Sequence, residues 1–176
     1  MNMSSRRTAI KQLIFISAGA VLVPRCMEDK SKASVILKNF SINADQETML
    51  AEIAETIIPK TDTPGAKDIS AHLFALKMVD DCYKKEDREK FAKGIMAFEE
   101  FAKQQAGKAF NDTDVAGKEK VIAALNADKK SDTDLGFFYR SMKRLTIQAY
   151  STSQFYLTKV NVYQLVPGRF KGCVPV

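Results

Sequence analysis

From Asn43 onward, apolar residues recur at helical spacing along most of the chain. Asn43 followed three residues later by Gln46 predicts a capping box, and Met49, Leu50, Ile53 and Ile57 then fall on one stripe. Pro59 closes that helix, and Thr61-Asp62-Thr63-Pro64-Gly65 is a turn cluster. A second helix is predicted from near Asp68 to about Tyr83, with Ile69, His72, Leu73, Leu76, Val79, Cys82 and Tyr83 on one broad face. Ala71, Phe74 and Met78 widen that face, leaving Ser70, Lys77, Asp80 and Asp81 as a narrow polar wedge. A helix this apolar is expected at the centre of a bundle. The next helix, about Glu86–Ala106, carries the stripe Phe91, Ile95, Phe98 and Ala102 on a Lys- and Glu-rich background and is expected at the periphery. Two further helices are predicted over Thr113–Asn126, through Val115, Ile122 and Leu125, and over Asp134–Tyr150, through Leu135, Phe138, Met142, Leu145 and Ala149. The polar run from Asp128 to Asp132 reads as a solvated loop between them.

Both flanks break this pattern. Met27 to Ser34 reads as a polar linker, and Val35-Ile36-Leu37 with Phe40 predicts a short extended piece lying against the domain. Thr152 or Ser153 can cap a short helix, after which Val160 to Pro167 reads as extended. The Pro and Gly spacing from Pro167 to Val176 excludes a helix there. The chain shows no internal repeat. The expected fold class is all-α: a single helical domain of about five helices with an irregular, partly extended C-terminal strap, preceded by an N-terminal export-signal helix. The corresponding boundaries are 1–26, 27–44 and 45–176.

Composition adds little to the fold, but the distribution of charge changes the reading of the ends. With 176 residues, 45% of them hydrophobic and 27% charged, the chain has enough material for one domain and is neither disordered nor a multi-span membrane protein. The formal charge of +6 invites a nucleic-acid reading. Arg6, Arg7, Lys11 and Arg25, with no acid before residue 27, supply four of those charges, leaving 23 bases against 21 acids beyond them. The Lys-rich stretch Lys84–Lys93 is interleaved with Glu86, Asp87 and Glu89, so it is a solvated face and no nucleic-acid partner is expected.

A basic segment followed by the apolar run Leu13–Val23 is the layout of an export signal. Eleven helical residues reach about 16 Å, short of the roughly 30 Å hydrocarbon core. Arg6-Arg7 ahead of Ile10 and Lys11 resembles a twin-arginine signal, the type that exports folded proteins, although Ala9 stands where Phe is often found. Cys26 lies where a lipoprotein signal places its modified cysteine, but Arg25 precedes it in place of a small residue. Two outcomes stay open: lipidation of Cys26, or an apolar segment that is left uncleaved as a weak anchor or cut nearby.

The chain is short of catalytic parts. His72 is its one histidine, expected as a satisfied core residue on an apolar helix face. No Glu-x-x-His pair, haem-binding Cys-x-x-Cys-His, zinc spacing, Gly-x-Gly-x-x-Gly or P-loop occurs. Asp80 and Asp81 point about 100° apart on a helix and read as a solvated edge. No catalytic, metal-binding or cofactor-binding residue is therefore expected in this chain. For an exported protein, Cys82 and Cys173 leave three arrangements open. Cys173 bridges to Cys82, closing a loop of about 90 residues for roughly 4 kcal/mol; or it bridges to a partner; or Cys82 is a buried small hydrophobe and Cys173 is unpaired.

Three blocks, in order, carry a resemblance. The segment Leu50-Ala51-Glu52-Ile53-Ala54-Glu55-Thr56-Ile57-Ile58-Pro59-Lys60-Thr61-Asp62-Thr63-Pro64-Gly65-Ala66-Lys67 resembles the signature of the gluconate 2-dehydrogenase subunit 3 family. Asp80-Asp81-Cys82-Tyr83 and Val166-Pro167-Gly168-Arg169-Phe170-Lys171-Gly172-Cys173-Val174-Pro175 are similar to two further family blocks, and together they cover about 45–176. The resemblance implies the non-catalytic small subunit of a membrane-associated dehydrogenase complex that oxidises a sugar or a sugar acid such as gluconate. It implies a large FAD-dependent partner of the glucose–methanol–choline oxidoreductase type, and commonly a multihaem cytochrome c subunit carrying haem c. It also implies that the small subunit engages the twin-arginine translocase for a flavoprotein without a signal of its own, and assists its maturation and docking. The expected location is periplasmic, on the outer face of the inner membrane, held by the signal, a lipid or the complex.

Within that reading the turn at Thr61, Asp62, Pro64 and Gly65, and Arg169 and Phe170 in the strap, are candidate partner contacts. The turn could equally do no more than reverse the chain. The alternative function is a stand-alone periplasmic or lipid-anchored helical binding protein. An enzyme in its own right is a third reading, which the missing constellation disfavours.

Overall fold

The computed structural model describes residues 32–127, 132–161 and 168. Five α-helices occur among them: α1 Ala44–Ile57, α2 Ala71–Cys82, α3 Lys85–Ala106, α4 Val115–Ala127 and α5 Asp134–Ser151. A short 3-10 turn, Phe110–Asp112, precedes α4, and a π-helical turn, Tyr156–Val160, follows α5. The all-α expectation holds: the one β-like feature among the described residues is an isolated antiparallel bridge between Lys32 and Asn43.

Local chemistry fixes three of the helix ends. Asn43 Oδ1 accepts from the Gln46 N–H at 2.7 Å and Gln46 Oε1 accepts from the Asn43 N–H at 3.2 Å, the reciprocal box read from the sequence. Asp45 and Glu47 add negative charge to the first turn of α1, where the helix dipole favours it. Gly107, at φ 72°, ends α3 in the left-handed conformation that glycine adopts without a Cβ penalty. Thr133 caps α5 by accepting from the Gly136 N–H at 3.1 Å.

The start of α2 departs from the expectation. Ser70 takes a left-handed conformation (φ 55°, ψ 38°), so the helix begins at Ala71 and not near Asp68. Residues 66–70 form a separate turn, closed by Ala71 N–H to Ala66 O at 2.9 Å and Ser70 N–H to Lys67 O at 3.0 Å. A serine in that conformation costs about 1 kcal/mol, which the two hydrogen bonds and the fully buried Ala66 and Ala71 offset.

The role expected of α3 also changes. Despite its charged sequence it packs along α5, and its stripe forms the middle of the core. Phe91 and Phe98 lie 5.1 and 5.7 Å from Phe138, Phe98 lies 5.1 Å from Phe110, and Phe40 closes on Phe91 at 6.3 Å. All of these rings except Phe40 are buried, and each pair adds about 1 kcal/mol beyond the area it buries. Central α2 remains as expected in part: Ala75, Leu76 and Val79 are fully buried. Cys82, placed on its apolar face by periodicity, is instead exposed. Val160, expected as extended, belongs to the π-helical turn, and most of the C-terminal strap lies outside the described residues.

Candidate docking site

Between α1 and α2 the chain makes a raised turn whose outer side is exposed from Pro59 to Thr63. Its stiffness comes from beneath. The Glu55 carboxylate, projecting from the last turn of α1, accepts from the Lys60 N–H at 2.8 Å with one oxygen and from the Lys67 N–H at 2.9 Å with the other. One side chain thereby ties together both ends of an eight-residue segment. Asp68 adds a second brace, accepting from the Gly65 N–H at 3.1 Å and pairing with Lys60 at 3.1 Å, and these contacts hold its carboxyl below the ordinary range. Ala66 N–H donates to Ile58 O at 2.9 Å, and Lys67 pairs with Glu52, which also takes Lys118 of α4 at 3.0 Å. Burial opposes ionisation of Glu52, but the two lysines outweigh it and lower its pKa.

Gly65 explains why the clip fits. A Cβ at this position would stand 2.5 Å from both Glu55 carboxylate oxygens and 2.7 Å from the Lys60 backbone nitrogen. The glycine is required by close approach, not by an unusual φ, and it is buried. Of the four turn residues singled out as contacts, Thr61 and Asp62 are exposed, Pro64 is half-buried and Gly65 is covered. Gly65→Ala is expected to displace the Glu55 clip and lower stability by about 1–2 kcal/mol. Amide exchange at Lys60 and Lys67 should accelerate in the same variant; unchanged protection at both would show that the clip does not hold the turn.

A second rigid element is the segment before α1. Val35, Leu37 and Phe40 pack on the core, as the pattern predicts, and Ile42 joins them, while Ile36, expected in the same piece, points outward at 84% exposure. Asp80 anchors this segment. Read from the sequence as a solvated edge, it is fully buried, and its carboxylate accepts from the Lys38 N–H at 2.7 Å and the Asn39 N–H at 2.8 Å. The Asn39 amide returns a bond to Asp80 O at 2.9 Å, and Lys77 Nζ reaches Ile36 O at 2.6 Å. Burial alone would raise the Asp80 pKa, but these N–H donors, the Asn39 side chain and the nearby Lys77 charge bring it below the ordinary value. Asp81 does stay exposed, as expected. No local signal in the sequence marks Asp80 for this role, because its donors at Lys38 and Asn39 lie 42 and 41 residues away.

His72 is half-buried at the edge of a cleft of about 300 Å³ that Ser34, Glu47, Thr48 and Lys67 also line. It is not the satisfied core histidine expected: its Nδ1 is buried and has no hydrogen-bond partner. Burial pushes its pKa down, Glu47 pulls it up and Lys67 adds to the lowering, so the ring is held neutral. Cys82 carries a free thiol at the surface, which removes the reading of it as a buried hydrophobe. Arg6, Arg7, Cys26, Arg169, Phe170 and Cys173 lie outside the described residues. Among the described residues no group of three or more His, Cys, Asp or Glu side chains converges closely enough to hold a metal ion.

A family model described as gluconate 2-dehydrogenase subunit 3 matches residues 44–168, from the first residue of α1 to beyond the π-helical turn. No curated protein and no solved structure matches the chain. The family match contains two of the three sequence blocks whole, the braced turn and the Asp80–Tyr83 corner, and the start of the third. The chain belongs to the gluconate 2-dehydrogenase subunit 3 family.

Proposed function

We propose that this protein is the small, non-catalytic subunit of a membrane-associated FAD-dependent dehydrogenase complex, and that it carries an export signal for the flavoprotein. The family is that of an accessory subunit of a dehydrogenase complex, and membership implies further subunits. The observation that carries the finer reading is the family match across nearly the whole helical domain. In this reading the flavoprotein, of the glucose–methanol–choline type, binds FAD and oxidises a sugar or sugar acid, and a cytochrome c subunit takes the electrons onward. A folded, FAD-loaded protein cannot be threaded through a pore unfolded, so it travels bound to a chain that bears a folded-protein signal at Arg6-Arg7. The complex then resides in the periplasm, held by that segment, by a lipid on Cys26 or by its other subunits. No helix among the described residues is long and apolar enough to cross a membrane. The braced turn and the pinned segment before α1 support the docking part of the proposal, because surfaces already held in one conformation lose little entropy on binding.

The test is a mild-detergent pull-down of the tagged chain, with an absorbance spectrum and mass spectrometry of what accompanies it. A stoichiometric large flavoprotein is the expected result. A colourless chain recovered alone would favour the stand-alone binding protein. Replacing Arg6 and Arg7 together by Lys should leave both this chain and the flavoprotein in the cytoplasm. Normal export of the flavoprotein beside that variant would rule out carriage.

A further inference from the structure

At the N-terminal end of α1 a carboxylate fastens the preceding segment to the helix. Glu47, in the first turn, accepts from the Ser34 N–H at 2.6 Å with one oxygen and from the Ser34 hydroxyl at 2.5 Å with the other. The antiparallel bridge from Lys32 to Asn43 continues the attachment. His72 shares a cleft with these residues: Lys32 and Ser34 line it from the segment, Glu47 and Thr48 from α1, and Lys67 from the turn before α2.

The groups facing His72 tie its charge to this clip. Its Nδ1 is buried and has no hydrogen-bond partner, so a proton added there becomes a buried N–H donor without an acceptor. Neither cation lining the cleft can supply one: Lys67 repels a charged ring and is paired with Glu52, and a lysine ammonium such as that of Lys32 only donates. Glu47 is the one carboxylate among the lining residues and favours the charged ring, but both of its oxygens are taken by Ser34. The carboxylate therefore has two competing partners, and proton concentration selects between them. We infer that His72, Glu47 and Ser34 form an acid-opened latch, in which proton uptake by His72 draws the Glu47 carboxylate away from Ser34 and releases residues 32–34 from α1. In the closed state burial, with Lys67 adding to it, holds the ring below its ordinary value of 6.5. The stabilisation of the closed latch is thus fully present above about pH 6.5 and is lost as pH falls through the lower, folded-state value. The device lies within one chain and does not depend on the subunit reading.

The test is amide exchange on the isotope-labelled full chain in mild detergent, with each rate divided by the intrinsic chemical rate at the same pH. Between about pH 7.5 and pH 5, protection at Ser34 should fall about tenfold, the equivalent of one pKa unit of coupling, with its midpoint at the titration of the His72 ring signals. The Lys38 and Asn39 amides are the internal controls and should keep their protection, because the Asp80 carboxyl that holds them titrates below 3.8. His72→Gln, which keeps a polar side chain but takes up no proton, should leave Ser34 protection level across the range. Ser34→Ala, at an exposed position, keeps the fold and frees one Glu47 oxygen, so by reciprocity the His72 titration should move up towards 6.5. Constant Ser34 protection while His72 titrates overturns the inference, and so does an equal fall in the His72→Gln variant. Loss of Lys38 and Asn39 protection in step with Ser34 overturns it as well, since that is unfolding of the whole domain. If His72→Gln fails to fold, Ser34→Ala decides: an unmoved His72 titration means that the ring and the clip are not coupled.

Discussion

Asp80→Ala is expected to destabilise the domain by about 3 kcal/mol at neutral pH and to release the segment before α1. The carboxylate is fully buried and accepts two backbone N–H groups from residues 38 and 39. Hydrogen bonds to a charged acceptor contribute about 1.5–3 kcal/mol each, and removal of the acceptor leaves two donors that water must reach. The loss is limited by the alternative open to the chain, which is to peel the segment before α1 away and expose Leu37 and Phe40. Thermal melting should fall by roughly 10 °C for a domain of this size. The sign with pH follows from the direction of the pKa. Because the folded-state pKa of Asp80 lies below its ordinary value of 3.8, the contribution is fully present above about pH 4 and is lost as pH falls through the folded value. The alanine variant should therefore lose less stability between pH 5 and pH 3 than the natural chain. Amide exchange at residues 38 and 39 is the decisive readout, since an unchanged rate would mean that Asp80 does not hold this segment.

Where both partners of an interaction lie within one turn, the sequence was sufficient. The Asn43–Gln46 box, the stripe of α1 and the extents of α3, α4 and α5 are all local, and each could be read within a residue or two. The departures are all long-range. Asp80 finds donors 41 and 42 residues away, so nothing near it in sequence distinguishes it from the solvated Asp81. Glu55 looks like an ordinary exposed helix residue until the turn folds over it, and Gly65 looks like a φ-driven turn glycine until the carboxylate beneath it is seen. Ser70 follows no local rule: a serine at that point in an amphipathic pattern gives no sign that it adopts positive φ. The charged composition of α3 concealed a central helix because the number of charges says how wide the wet face is, not how much of the dry stripe is covered. The same limit applies to the corner between α2 and α5. Tyr83, Phe137, Arg140 and Arg144 come from two helical segments more than 50 residues apart, and their convergence appears only once α2 and α5 are packed.

That packing depends on a glycine, which leads to the second large effect. Gly94→Ala is expected to destabilise the domain by about 2 kcal/mol, against the usual trend for a helix interior. Alanine should favour a helix over glycine by about 1 kcal/mol. At this position, however, a Cβ would overlap the Phe138 Cβ and stand 2.5 Å from the carbonyl oxygen of Asp134. Neither obstacle is the free end of a flexible side chain, so α3 and α5 have to separate or slide. Overpacking of this kind costs about 1–3 kcal/mol, and here the cost falls on the ring cluster of Phe91, Phe98 and Phe138 at the centre of the core. Gly94→Val adds a branched side chain to the same crossing and should exceed about 4 kcal/mol. Urea denaturation of the two variants beside exposed Lys93→Ala measures the effect; Lys93→Ala should change stability by no more than about 0.5 kcal/mol. Stabilisation by Gly94→Ala would mean that propensity outweighs contact and that the crossing is looser than described.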